Sequence, residues 1–226
     1  MIGVFDSGEG GLITVEKIRR LSPNADIAFL ADRENAPYGT KTREEIILCS
    51  KRNIKRLREV GAEKILIACC TASTVFPFLS PIEKELAIPI IEATARLAAR
   101  KTKTKKIGVI ATEATVSSGA FSKSIKTLIA DAEVTERAAQ ELVGLVEGGE
   151  SDSKLSKKAL YKIKELLSDI RGADFDVLIL GCTHFPRLEK TISEITGKLT
   201  VSSALAGALE IQKYIENNGK GLTLYL

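Results

Sequence analysis

Short runs of apolar, β-branched residues alternate along the chain with longer stretches in which apolar positions recur every three or four residues. The first pattern suits strands buried on both faces, the second helices with one buried face. Their alternation predicts a parallel sheet covered by helices. Strands are expected at 1–5, 26–31, 64–69, 88–91, 106–111, 176–181 and 198–202. Helices are expected at 11–20, 42–60, 74–86, 93–101, 118–130, 154–170, 186–195 and 204–217. The segment 42–60 opens on "TREE", a threonine followed three positions later by glutamate, the sequence of a capping box.

The pattern also divides in two. "IGVFDSG" at 2–8 is echoed by "IGVIATE" at 107–113, and each half later delivers an apolar run that ends in cysteine: "KILIACCTAS" at 64–73 and "DVLILGCTHF" at 176–185. This spacing predicts a duplicated α/β unit rather than a short solenoid repeat. The expected fold class is α/β, with two pseudo-symmetric parallel-sheet lobes facing across a central cleft. Residues 1–95 with 204–226 would form the first lobe and 96–203 the second, with the basic run "ARKTKTKK" at 99–106 as the first crossover. Open parallel sheets bind ligands beyond the carboxyl ends of their strands. Asp6, Cys69, Thr112 and Cys182 should all lie there.

Composition narrows the class. With 44% apolar and 27% charged residues, the 226-residue chain can bury an ordinary core. Its net charge of +4 is spread along the chain, Trp is absent, and aromatic residues are few, so no nucleic-acid partner is expected. The start, "MIGVFDSGEGG", lacks a basic segment followed by a long apolar one, and no stretch approaches a membrane span. A cytoplasmic protein with reduced thiols and no membrane partner is expected.

Against that background the cysteines are unusual. Cys49 lies among apolar helical residues and is expected to pack inertly. Cys69, Cys70 and Cys182 each end a strand. Zinc would need four ligands at recognisable spacing, yet His184 is the sole histidine and no Cys-x-x-Cys exists. No metal is therefore expected. A Cys182–His184 nucleophile is conceivable but leaves Cys69 unused. Two facing thiols suit inversion of a carbon centre, one removing a proton from one face while the other supplies one to the opposite face. A free thiol, with a pKa of ~8.5, is near enough to neutrality for such exchange. "DSGEGG" at 6–11 reads as a glycine-permitted strand-to-helix turn, either structural or anion-holding, and "APYGTK" at 36–41 as a loop that can bring amides and a Tyr hydroxyl to the cleft.

Taken in chain order, "IGVFDSGEGGL", "PYGTK", "ILIACCTAS", "IGVIATEATVSSGAF", "LVEGG" and "LILGCTHFP" resemble the glutamate racemases of the aspartate/glutamate racemase superfamily, from residue 2 to about 190. The resemblance implies cofactor-independent interconversion of L- and D-glutamate, supplying D-glutamate for peptidoglycan. It also implies two α/β lobes around a cleft and commonly a homodimer. Carried across position by position, Cys69 and Cys182 become the paired acid/base residues. Asp6 assists the first; His184 with Glu147 assists the second. Ser7, Tyr38, Gly39, Thr71, Thr112, Thr115 and Thr183 match positions that contact the substrate, and Cys70 stands where the family usually has asparagine.

Cys70 opens a question of register, since sliding by one residue would make it the catalytic thiol; the spacing of "ACxTAS" favours Cys69. Other departures are "ERAAQELV" at 136–143, where the family carries Cys and Pro, "VSSA" at 201–204 without a usual aspartate, Phe121 for a tyrosine, and a short C-terminal portion. An aspartate racemase or related isomerase, and a homologue that binds acidic amino acids without turnover, therefore stay open beside glutamate racemisation.

Overall fold

The computed structural model describes residues 1–216 and 219–226. The first half runs β1 (Ile2–Asp6), α1 (Gly11–Leu21), β2 (Ile27–Ala31), α2 (Arg43–Glu59), β3 (Lys64–Ile67), α3 (Cys70–Ser73), α4 (Pro81–Leu86), β4 (Ala87–Pro89) and α5 (Ile90–Lys101). The second continues with β5 (Lys106–Ala111), α6 (Glu113–Ser118), α7 (Ala120–Leu128), β6 (Glu133–Ala138), α8 (Glu141–Glu147), α9 (Lys157–Leu166), β7 (Val177–Gly181), α10 (Glu189–Thr196), β8 (Leu199–Ser202) and α11 (Ser203–Ile211). A last strand, β9 (Thr223–Tyr225), closes the description.

Two parallel sheets result, ordered β4-β3-β1-β2-β9 and β6-β5-β7-β8. The central strands β1, β3 and β7 are almost wholly buried, as their uninterrupted apolar runs require. Between the sheets, α11 packs on both α1 and α5, and α5 packs on α7. One apolar cluster therefore runs from Ile2, Val4 and Leu66 through Ile90, Ala95 and Ala208 to Val109 and Ile179. Two further clusters cover the outer faces, around Phe5, Ile54 and Leu57 and around Ile110, Ile163 and Leu180. The two sheets thus share one core.

Local chemistry explains where the helices begin and end. The Thr42 hydroxyl accepts the Glu45 N–H at 3.3 Å and the Glu45 carboxylate accepts the Thr42 N–H at 2.8 Å, the expected capping box. The helix expected at 74–86 is broken by its prolines into a turn at Phe76–Phe78 and α4 behind a Ser80 cap. That expected at 118–130 breaks at Gly119, whose φ of +61° lies in the left-handed region. The helix expected at 204–217 starts at Ser203 and tightens into a turn at Gln212–Tyr214, and position 217 lies outside the described residues. Strands β6 and β9 were not expected, because both are sheet edges and neither carries an uninterrupted apolar run. Among the described residues no helix is long and apolar enough to cross a membrane.

Candidate active site

Each cysteine-ending strand lies beside the strand that opens its half. β3 pairs with β1 so that Phe5 faces Ile67, and β7 pairs with β5 so that Ala111 faces Gly181. Asp6 and Cys69 therefore leave one sheet at the same edge, and Thr112 and Cys182 leave the other. Where the edges meet lies a cavity of about 30 Å³, room for little more than a water molecule. Ser7, Gly39, Cys69, Cys70 and Thr71 line it from the first half, and Thr112, Cys182, Thr183 and His184 from the second. A hollow of about 830 Å³ elsewhere, among α2, α5 and α7, is far larger. Its lining holds no cysteine or histidine, so chemistry rather than size locates the site.

Cys69 caps α3. Its sulfur accepts the Ala72 N–H at 3.4 Å and its thiol donates to the Ser7 hydroxyl at 3.4 Å. Burial, reinforced by the Asp6 carboxylate, pushes this thiol up to about 11 despite those hydrogen bonds. Cys182 sits 3.6 Å from Nδ1 of His184. Burial raises its thiol well above the ordinary range too, opposed by the His184 N–H and reinforced by the charges of Cys69 and Asp6. Nε2 of His184 lies 3.5 Å from the Glu147 carboxylate. The Glu147 side chain is 61% exposed against 13% for His184, so Glu147 reaches the site only through the imidazole.

Asp6 is fully buried and joins the two halves. Its carboxylate accepts the N–H groups of Gly8 at 3.2 Å and Gly11 at 3.1 Å, and the Thr183 hydroxyl at 3.3 Å. Burial raises its pKa, opposed by the nearby His184 and by those hydrogen bonds. The turn passes so close to the other half that a side chain at Gly10 would bring its first carbon 2.5 Å from Oγ1 of Thr183. Glycine here is a condition of lobe approach.

Two expected substrate contacts lie outside the lining of this cavity. The Tyr38 ring is buried, and its hydroxyl donates to Asp32 at 2.5 Å and accepts from Asn53 at 3.0 Å. Burial and the Asp32 carboxylate raise its pKa beyond the usual tyrosine range. Facing away from the cavity, Tyr38 anchors the loop that presents Gly39. Thr115 is also fully buried, behind the lining, with its hydroxyl 3.1 Å from that of Thr71 and 2.8 Å from that of Thr112. Conversely, Gln140 and Val143 line the cavity without having been expected. Their spacing of three on one helical face was the available signal, masked by the brevity of α8.

With this geometry in place, comparison with known proteins becomes specific. The family model described as Asp/Glu/Hydantoin racemase matches residues 12–211. A glutamate racemase of Aquifex aeolicus is 38% identical over 99% of this chain and 87% of its own length. The crystal structure of glutamate racemase isoform RacE1 from Bacillus anthracis superposes with a TM-score of 0.88 at 30% identity, covering 100% of this chain and 86% of that one. The glutamate racemase of Francisella tularensis, solved with D-glutamate, gives 0.88 at 29% identity over 99% of this chain and 86% of that one. The chain belongs to the Asp/Glu/Hydantoin racemase family.

Proposed function

We propose that this amino-acid racemase interconverts L- and D-glutamate by proton transfer between Cys69 and Cys182, without a cofactor, and supplies D-glutamate for peptidoglycan. The observation that carries the reading is the pair of buried thiols lining one small cavity from opposite halves. A thiolate on one side takes the α-hydrogen as a proton, forming its S–H bond. The electron pair left on carbon is delocalised into the adjacent carboxylate. The opposite thiol then gives its proton to the other face and becomes the thiolate for the return reaction. Each group must serve as both acid and base.

Cys69 is preferred to Cys70 because its thiol meets Ser7 beside Asp6, whereas Cys70 packs in the shared apolar cluster. Asp6 assists proton exchange at the first thiol, and His184, held by Glu147, at the second. Ser7, Gly39, Cys70, Thr71, Thr112 and Thr183 contact substrate, while Tyr38 and Thr115 support that lining. A cavity this small admits substrate only on a wider separation of the lobes, which we take as 1–95 with 204–226 and 96–203; strand membership and the packing of α11 support the division. A homodimer in the cytoplasm completes the reading. The test is circular dichroism of L-glutamate, and separately L-aspartate, in heavy water with purified protein. D-glutamate carrying deuterium at Cα, with no added pyridoxal phosphate or metal, is expected. Retained α-protium, a dependence on added pyridoxal phosphate, faster turnover of aspartate, or binding without loss of optical rotation would overturn the corresponding part.

A further inference from the structure

Cys70 lines the same cavity as the two thiols of the proposed exchange but carries no proton in it. The turn into α3 sends the consecutive cysteines to different sides. Cys69 joins the outer apolar cluster of the first half with Phe5 and Ile67. Cys70 joins the shared cluster with Ala111 and Ile179 of the second sheet. Beside its sulfur lies the Ser203 hydroxyl. β8 pairs with β7 so that Ser202 faces Leu180, which puts Ser203 at the end of β7 from which Cys182 leaves. The charge of Cys182 accordingly raises the Cys70 thiol more than that of its chain neighbour Cys69 does. Both cysteines are free, and the void they line from opposite halves, about 30 Å³, is that of a single water. A disulfide needs its two Cβ atoms about 3.5–4.5 Å apart, a span that thiols across so small a void reach by side-chain rotation.

We propose that Cys70 and Cys182 form a reversible disulfide when the protein meets a peroxide, and that this bond switches the enzyme off. The Cys182 thiolate, favoured by His184 at 3.6 Å, attacks one peroxide oxygen. An S–O bond forms and the O–O bond breaks; the departing hydroxide takes the proton released by the thiol and becomes water. The Cys70 sulfur then attacks the sulfenic sulfur of Cys182. The S–S bond forms, the S–O bond breaks, and a second water leaves with the Cys70 proton. Two electrons have passed from the thiols to the peroxide. The bond ties the two halves across the cavity and removes the Cys182 thiol from proton exchange. Only the loss of activity rests on the racemase reading; the bond itself does not.

Wild type, Cys49→Ser, Cys69→Ala and Cys70→Ser, each treated with hydrogen peroxide, test this. Remaining thiols are blocked in denaturant, and the chain is digested without reduction for mass spectrometry. The first three are expected to yield the segment around 69–70 joined to that around 182, two hydrogens lighter than the separate segments. Cys70→Ser should yield none. Racemisation by wild type should fall in proportion to the joined fraction and return with dithiothreitol. Melting temperatures before treatment identify a variant that has not folded, and fragment masses from wild type alone assign the sulfur at 69 or 70. A bond that disappears in Cys69→Ala and persists in Cys70→Ser, sulfinic acid at Cys182 without a bond, or an unoxidised wild type would overturn the assignment. Joining that leaves racemisation unchanged, or a loss that dithiothreitol does not reverse, would overturn the switch. Untreated wild type that racemises nothing would overturn the glutamate reading, while the masses still decide the bond.

Discussion

At Cys69 the chain turns at once into the four-residue helix α3, so the sulfur caps that helix and its thiol neighbour is the Ser7 hydroxyl. At Cys182 the chain passes through Thr183 and His184 into a turn at Phe185–Leu188, and the nearest side-chain group is an imidazole backed by a carboxylate. The strands that deliver the thiols are placed alike; the groups around them are not. Inverting a carbon centre requires equivalence only of the two groups that touch the α-hydrogen. Each half was therefore free to acquire its own means of moving the proton on, and the two directions of reaction can differ in kcat and KM.

The comparison breaks most completely when either thiol is removed. Cys69→Ala and Cys182→Ala should each lower racemisation by roughly 10³-fold or more, since each face loses its acid/base group. Circular dichroism of the product reads this directly, and an unchanged melting temperature separates it from unfolding. Loss in only one variant would mean that a single thiol, or another group, serves both faces.

His184→Ala sharpens the difference. With Nδ1 of His184 3.6 Å from Cys182 and no such group at Cys69, the direction in which Cys182 acts as base should lose kcat by about tenfold more than the reverse. The equilibrium between enantiomers stays at one, so KM must fall with kcat and kcat/KM remain equal both ways. Equal losses of kcat in initial-rate assays would leave His184 as a positioning residue.

The symmetry was legible in the sequence because it is written in strand-sized apolar runs, and those runs specify a parallel sheet wherever they fall. Cys69, Cys182 and His184 were legible for the same reason, being the residues at which the runs stop. What was not legible depends on side-chain direction. Tyr38 looked like a cleft hydroxyl until Asp32 and Asn53, distant in the pattern, claimed it from behind. Gln140 stood unremarked within "ERAAQELV", where no helix was expected. The division of 74–86 by its prolines was readable but was overridden by the amphipathic spacing around it.

Asp6 belongs to both halves and tests whether they are separable. Its pKa is raised by burial, so the folded state holds the ionised carboxylate less well than the unfolded chain does. The sign follows: stability falls as pH rises from the unfolded value near 3.9 through the higher folded value, and the group is then a net cost. Asp6→Asn keeps an acceptor for Gly8 and Gly11. It is expected to raise the melting temperature at pH 7 by about 2–4 °C, the shift that ~1 kcal/mol gives a chain of this size, with the gain vanishing below pH 4. Activity should fall about tenfold in both directions. A lower melting temperature at pH 7 would show that the hydrogen bonds outweigh burial.

The smallest expected effect lies next to Cys69 and fixes which thiol the first half contributes. Cys70 is buried in the shared apolar cluster, and burial raises its thiol well above the ordinary value. Beside it lies the Ser203 hydroxyl, which makes no full hydrogen bond of its own. Cys70→Ala removes one buried sulfur, so a stability loss of about 1 kcal/mol and activity within twofold of wild type are expected. Cys70→Asn restores the residue usual in the glutamate racemases and gives Ser203 an amide partner. An amide also donates to a substrate carboxylate better than a thiol does, so kcat/KM for glutamate should rise, by up to roughly tenfold. Should Cys70→Ala prove inactive while Cys69→Ala remains active, the register shifts by one and Cys70 becomes the first-half thiol. Should Cys70→Asn lose activity while Cys69 stays essential, the thiol at 70 is part of a pocket shaped for an acidic substrate other than glutamate.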